Sequence, residues 1–138
     1  MGFEQLLSGI NWLAVLVATA AAFLLGGIWY SNALFGKPWM QEVGLTAEAL
    51  AKTNMKPIFA GTFVLQFVAA TALARFLGAD SSLPIGLHAG LLIGLCWIAP
   101  AYGVTYLFEQ RSLRIFIINA GYYVVMFALM GTIIGAWQ

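Results

Sequence analysis

Charge is scarce in this 138-residue chain: 8% of its residues are Asp, Glu, Lys or Arg, and 62% are hydrophobic. Soluble domains carry about a quarter charged residues, so that class is excluded. The net charge is +1, without the basic stripe that nucleic acid demands, and no nucleic-acid partner is expected. Cysteine occurs once, at Cys96, which excludes an internal disulfide and leaves the redox compartment unread. Histidine also occurs once, at His88. A metal needs partners at helical spacing, and Cys96 lies too far along the chain to share one with His88. No metal and no cofactor is expected. Gly-x-Ser-x-Gly, His-Glu-x-x-His and paired carboxylates are all missing. Without a nucleophile–base pair, an enzyme is not expected. The start, "MGFEQLLSGINW", lacks a basic region and a small-residue cleavage site, so a removable signal peptide is not expected. Leu6 stands where a myristoylation signal wants Ser or Thr.

What the chain has is four long apolar stretches, at about 11–30, 57–77, 84–108 and 113–137. Each holds about 20 residues or more, enough at ~1.5 Å per residue to cross a ~30 Å hydrocarbon core. In lipid only a helix satisfies its own backbone. The expected fold is all-α: one domain, an integral membrane bundle of four transmembrane helices. Pro57 and Pro84 fit first-turn positions. Ser8 or Asn11 can cap the first span, and Ser112 the fourth. Pro100 lies inside the third span and predicts a kink that frees the carbonyl of Cys96.

The connections alternate in charge. Loop 31–56 carries Lys37, Lys52 and Lys56, and the turn at 108–113 carries Arg111, with Arg114 just beyond it. Five of the six basic side chains thus share one side of the membrane. The positive-inside rule makes these loops cytoplasmic and both termini extracytoplasmic. Loop 31–56 is the one long connection. Within it "TAEALAK" reads as a short helix capped by Thr46, either laid on the membrane by Leu45 and Leu50 or solvated.

"WYSNALFGK" (from Trp29) and "YGVTYLFEQ" (from Tyr102) share an aromatic residue followed by Leu-Phe at one spacing. This suggests a duplicated helical hairpin, although aromatic residues gather at interfaces anyway. Small residues form stripes at four-residue spacing: Ala14, Ala18, Ala22 and Gly26; Gly86, Gly90 and Gly94; Gly131 and Gly135. Such stripes are helix-packing seams. Their number exceeds the obvious need of a monomer, so one is expected to serve a homo-oligomer.

Polar groups inside a membrane are functional candidates by default. Gln66 lies mid-span, Asn119 about two turns into the fourth span, and Tyr102 and Tyr122 at similar depth. They sit beneath "WYSNALFGKPWM", which holds Trp29, Tyr30, Asn32, Phe35 and Trp39. Anchoring at the interface accounts for Trp29 and Tyr30. Gly36 permits the turn that ends the helix, and Pro38 stops it from resuming at once. Asn32 and Phe35 are not explained by anchoring. These residues are expected to line a pocket in the cytoplasmic half, with Glu109 closing it opposite Lys37. A structural hydrogen-bond network explains the same residues, and an ion pair with topology anchors explains "FEQRSLR".

"NWLAVLVATAAAFLLGGIWYSNALFGKPWMQEVGLT" and "YLFEQRSLRIFIINAGYYVVMFALMGTIIGAW", with the four spans, resemble the small bacterial membrane proteins of domain-of-unknown-function family 1761. The resemblance implies a bacterial cytoplasmic-membrane protein and brings no catalytic residue with it. The first span lacks the carboxylate that small multidrug transporters carry there. The biased loop charges also fit dual-topology fluoride channels poorly. Two functions follow from the residues. One is a membrane protein binding or transporting a small molecule or lipid. The other is a structural protein of the bilayer that assembles as a homo-oligomer.

Overall fold

Four helical spans are long and apolar enough to cross a membrane: Trp12–Trp29, Met55–Leu77, Leu83–Phe108 and Leu113–Trp137. The computed structural model describes residues 2–138. In chain order the helices are α1 (Phe3–Leu7), α2 (Trp12–Trp29), α3 (Gly36–Val43), α4 (Ala47–Lys52), α5 (Met55–Leu77), α6 (Leu83–Ile93), α7 (Ala99–Phe108) and α8 (Leu113–Trp137). A π-helical turn, Gly94–Ile98, joins α6 to α7. The spans run up and down. One end holds α3, α4 and the α7–α8 turn and is called the loop side. The other holds the α5–α6 link and the ends of the chain and is called the terminal side.

Local chemistry fixes the starts. The Asn11 side chain accepts from the Ala14 N–H at 3.2 Å, and that of Ser112 from the Ile115 N–H at 3.2 Å. Each satisfies one of the donors a helix start leaves free. Ser8 instead closes α1. Thr46 caps α4, accepting from the Ala49 N–H at 3.0 Å. Pro100 was expected to kink its span. The chain meets the missing N–H with the π turn just before it, where the Ala99 N–H donates to the Gly94 carbonyl.

Loop 31–56 departs from expectation. Two helices occupy it, not one, and Pro38 does not delay the first. It sits in the opening turn of α3, where a missing N–H breaks no helical bond.

Helix α8 is the hub. Ile115, Met126, Met130 and Ile134 on it are at most 1% exposed. Toward the terminal side it meets α6 backbone to backbone: a Cβ on Gly86 would strike Gly131, and one on Gly90 would strike the Phe127 carbonyl. Gly94 lies against Val124, and Gly135 against Ser82 and Gly86. Ala14, Ala18 and Ala22 are fully buried, the last two in one core with Ala70, Leu73 and Met126. Every small-residue stripe is therefore covered within one chain. These seams are packing surfaces between helices of the same chain.

Terminal-side polar bonds fasten the other ends. Asn11 Nδ2 donates to the Trp137 carbonyl at 2.9 Å, and Gln138 Nε2 to the Gly78 carbonyl at 2.5 Å.

Candidate functional site

The site begins where α2 ends. The Phe35 N–H donates back to the Trp29 carbonyl at 2.9 Å and the Gly36 N–H to the Ser31 carbonyl at 2.9 Å, so the chain doubles back within one turn. Gly36 makes this possible: a Cβ there would lie 2.5 Å from the Tyr30 carbonyl oxygen and 2.8 Å from that of Ser31. The turn throws Phe35 against Trp29, with ring centroids 4.8 Å apart, and Trp39 edge-on to Tyr30 at 5.6 Å.

Trp29 and Tyr30 point into the bundle. The Trp29 indole N–H donates to the Ile118 carbonyl at 3.0 Å, and the ring covers Gly121. Tyr30 donates its hydroxyl to Asn119 Oδ1 at 2.8 Å, and Asn119 Nδ2 donates to the Tyr106 hydroxyl at 2.7 Å. From Tyr30 the aromatic rings continue through Tyr122, Tyr123, Tyr102 and Tyr106, each neighbour 5.1–5.5 Å from the last. Asn119 thus closes a circuit that contains all five tyrosines of the chain. Such pairs add about 0.5–1.5 kcal/mol each beyond burial.

One layer deeper, Gln66 Nε2 donates to the Tyr122 hydroxyl at 2.8 Å, which donates to the Ala22 carbonyl at 2.8 Å. Gln66 is 7% exposed, and its Oε1 has no partner among the described residues. An amide oxygen left so is costly in hydrocarbon.

Outside the circuit lies a groove of about 310 Å³. Tyr30, Ser31, Asn32, Gly36, Trp39 and Met40 form one wall, and Ala47 and Leu50 of α4 face them. Leu50 therefore turns α4 toward the protein.

Of the residues expected at a pocket, Trp29, Tyr30, Phe35, Trp39, Gln66, Tyr102, Asn119 and Tyr122 come together. Asn32 is exposed at the groove rim and stays out of the circuit. Glu109 stands apart, exposed and paired with Arg111 at 3.6 Å, and not with Lys37. Tyr106 and Tyr123 were missed. The four-residue step from Tyr102 to Tyr106, and from Asn119 to Tyr123, was the available signal, since such pairs share a helix face. His88 is exposed, its Nδ1 2.7 Å from the Pro84 carbonyl oxygen. Among the described residues no three His, Cys, Asp or Glu side chains gather as a metal site would require.

Fold and site together define a four-span helical bundle of membrane type, with neutral aromatic and amide groups knitting its loop-side half. The chain belongs to the family described as "Protein of unknown function (DUF1761)", whose model matches residues 13–135. No curated protein and no solved structure matches the chain.

Proposed function

We propose that the protein binds, and in doing so carries across or along the bilayer, a small molecule or lipid taken up on the loop side. The observation that carries this reading is the groove between α3 and α4. Its wall comes from the "YSNALFGKPWM" turn, with aromatic rings (Tyr30 and Trp39) beside the Asn32 amide and apolar Met40 and Leu50. A mixed, uncharged lining of that kind suits an amphipathic ligand. The circuit behind it gives the groove a rigid back wall. The reading includes a bacterial cytoplasmic membrane, loops 31–56 and 108–113 in the cytoplasm, termini outside, descent from two hairpins, and no enzymatic step. The hairpin copies have since diverged: the chain leaves its helix at Tyr30 in one and stays helical to Phe108 in the other.

A second reading is a structural membrane protein, assembling as a homo-oligomer without a ligand. Its support is the bare face of α7, where Leu107 and Phe108 are 79% and 88% exposed.

Mass spectrometry of molecules that copurify with the wild type, with Trp39→Ala and with Asn32→Ala separates the two. A species held by wild type and lost from both equally folded variants is expected. Identical profiles in all three proteins would transfer the case to the structural reading.

A further inference from the structure

A second recess lies toward the terminal side, away from the aromatic circuit. It is a groove of about 320 Å³ between α5 and the α6–π segment. Its origin is in the packing already described. Glycines clamp α6 onto α8, while α5 shares its core with α2 and α8, so α5 and α6 are held apart. Ala69 and Ala72 of α5 are too small to fill the gap. Leu73 and Phe76 flank them, Ile93 and Trp97 form the opposite wall, and Phe127 of α8 lies behind.

Every lining side chain is apolar, apart from the indole N–H of Trp97. Along α5 the groove follows residues 69–76, about 10 Å of helix. One leaflet of hydrocarbon is about 15 Å deep, half of a ~30 Å core. The groove therefore has the depth and direction of a single acyl chain in the terminal-side leaflet. Left empty, it would forfeit dispersion contacts over its whole lining.

A charge lies toward the same end of α5. Arg75 lies in the last turn of α5, beside Phe76 and three residues from Ala72, and it is exposed. It belongs to neither ion pair found among the described residues, and Asp80 on the same end does not engage it. The other five basic side chains lie toward the loop side. We infer that this groove is a lipid site: it holds one acyl chain of an anionic phospholipid, whose phosphate meets Arg75. The inference is independent of the loop-side ligand.

The test uses the full chain in phosphatidylcholine nanodiscs, with phosphatidylglycerol or phosphatidylcholine carrying brominated acyl chains added in steps. Trp97 fluorescence is taken as the difference between wild type and Trp97→Phe. Brominated phosphatidylglycerol is expected to quench it saturably, at about fivefold lower mole fraction than brominated phosphatidylcholine. Arg75→Gln should remove that preference. Ala72→Phe, which fills the groove from an exposed position, should remove the saturable quench with both lipids. Trp39→Ala should leave the quench unchanged, which separates this site from the loop-side groove. Quenching that merely tracks bulk lipid composition, or that survives Ala72→Phe, would overturn the inference. So would a Cys96-linked dimer in membranes that added phosphatidylglycerol does not compete away, because a second copy would then cover the groove. Circular dichroism of each variant confirms the fold before quenching is read.

Discussion

The two ends of α8 hold their neighbours by opposite means. Toward the terminal side, Gly131 and Gly135 let the α6 backbone come into direct contact, with no side chain between. Toward the loop side, Asn119, Tyr122 and Tyr123 reach outward to α2, α5 and α7 through rings and hydrogen bonds. Lipid tails are as apolar as leucine, so helices in a bilayer associate by close packing and by polar bonds. One helix here uses each device at a different depth. The glycine end admits no change of shape. The tyrosine end is made of separable parts, and the groove with the polar lining adjoins it.

That contrast is sharpest under mutation. Gly86→Val drives a side chain into the Gly131 backbone, and at about 3 kcal/mol or more it is expected to be the largest single loss. Denaturant titration in detergent should show it. Survival of the α6–α8 pair at wild-type stability would break the comparison. Gly36→Ala faces carbonyls that belong to a turn, which gives way more easily than two packed spans. A cost of about 2 kcal/mol is expected, visible as faster proteolysis between α2 and α3. At the tyrosine end, Tyr122→Phe strands the Gln66 amide at about 1–2 kcal/mol. Adding Gln66→Leu should restore most of that loss, because both polar partners are then gone. A double variant as unstable as the sum of the singles would show that the pair is not a unit. Smallest is Arg114→Gln. Arg114 is half exposed and 3.9 Å from Glu42, so its loss should cost under about 1 kcal/mol, and less in high salt.

The spans were legible because hydropathy over about 20 residues is a one-dimensional signal. The glycine stripes were legible as stripes. What they met was not, because a stripe says that a partner comes close and does not say which helix it is. The result, α6 against α8, needs the rotation of both. Helix α3 was hidden by Gly36 and Pro38, two residues that interrupt helices in the interior but are tolerated at a start. The circuit was half visible. Tyr30, Tyr102, Tyr122 and Asn119 were picked by depth, yet depth cannot show that Tyr106 lies across from Asn119. Glu109 was drawn in by its charge, and charge near a membrane surface finds a local partner such as Arg111 at little cost.

The hub helix also imposes an order in time. The chain enters the membrane from its start, so α2, α5 and α6 are in place before α8 follows. During that interval Gly86, Gly90 and Gly94 border lipid, and Gln66 lacks the hydroxyl it later donates to. Closure of the bundle is therefore deferred to a late event, in which one arriving span engages the glycine face and the waiting amide together. Until then α2 and α5 can pair through Trp12–Phe67 and Phe23–Phe59, while α6 waits without a partner for its glycine face, and any factor that stalls α8 would leave the bundle open on that side.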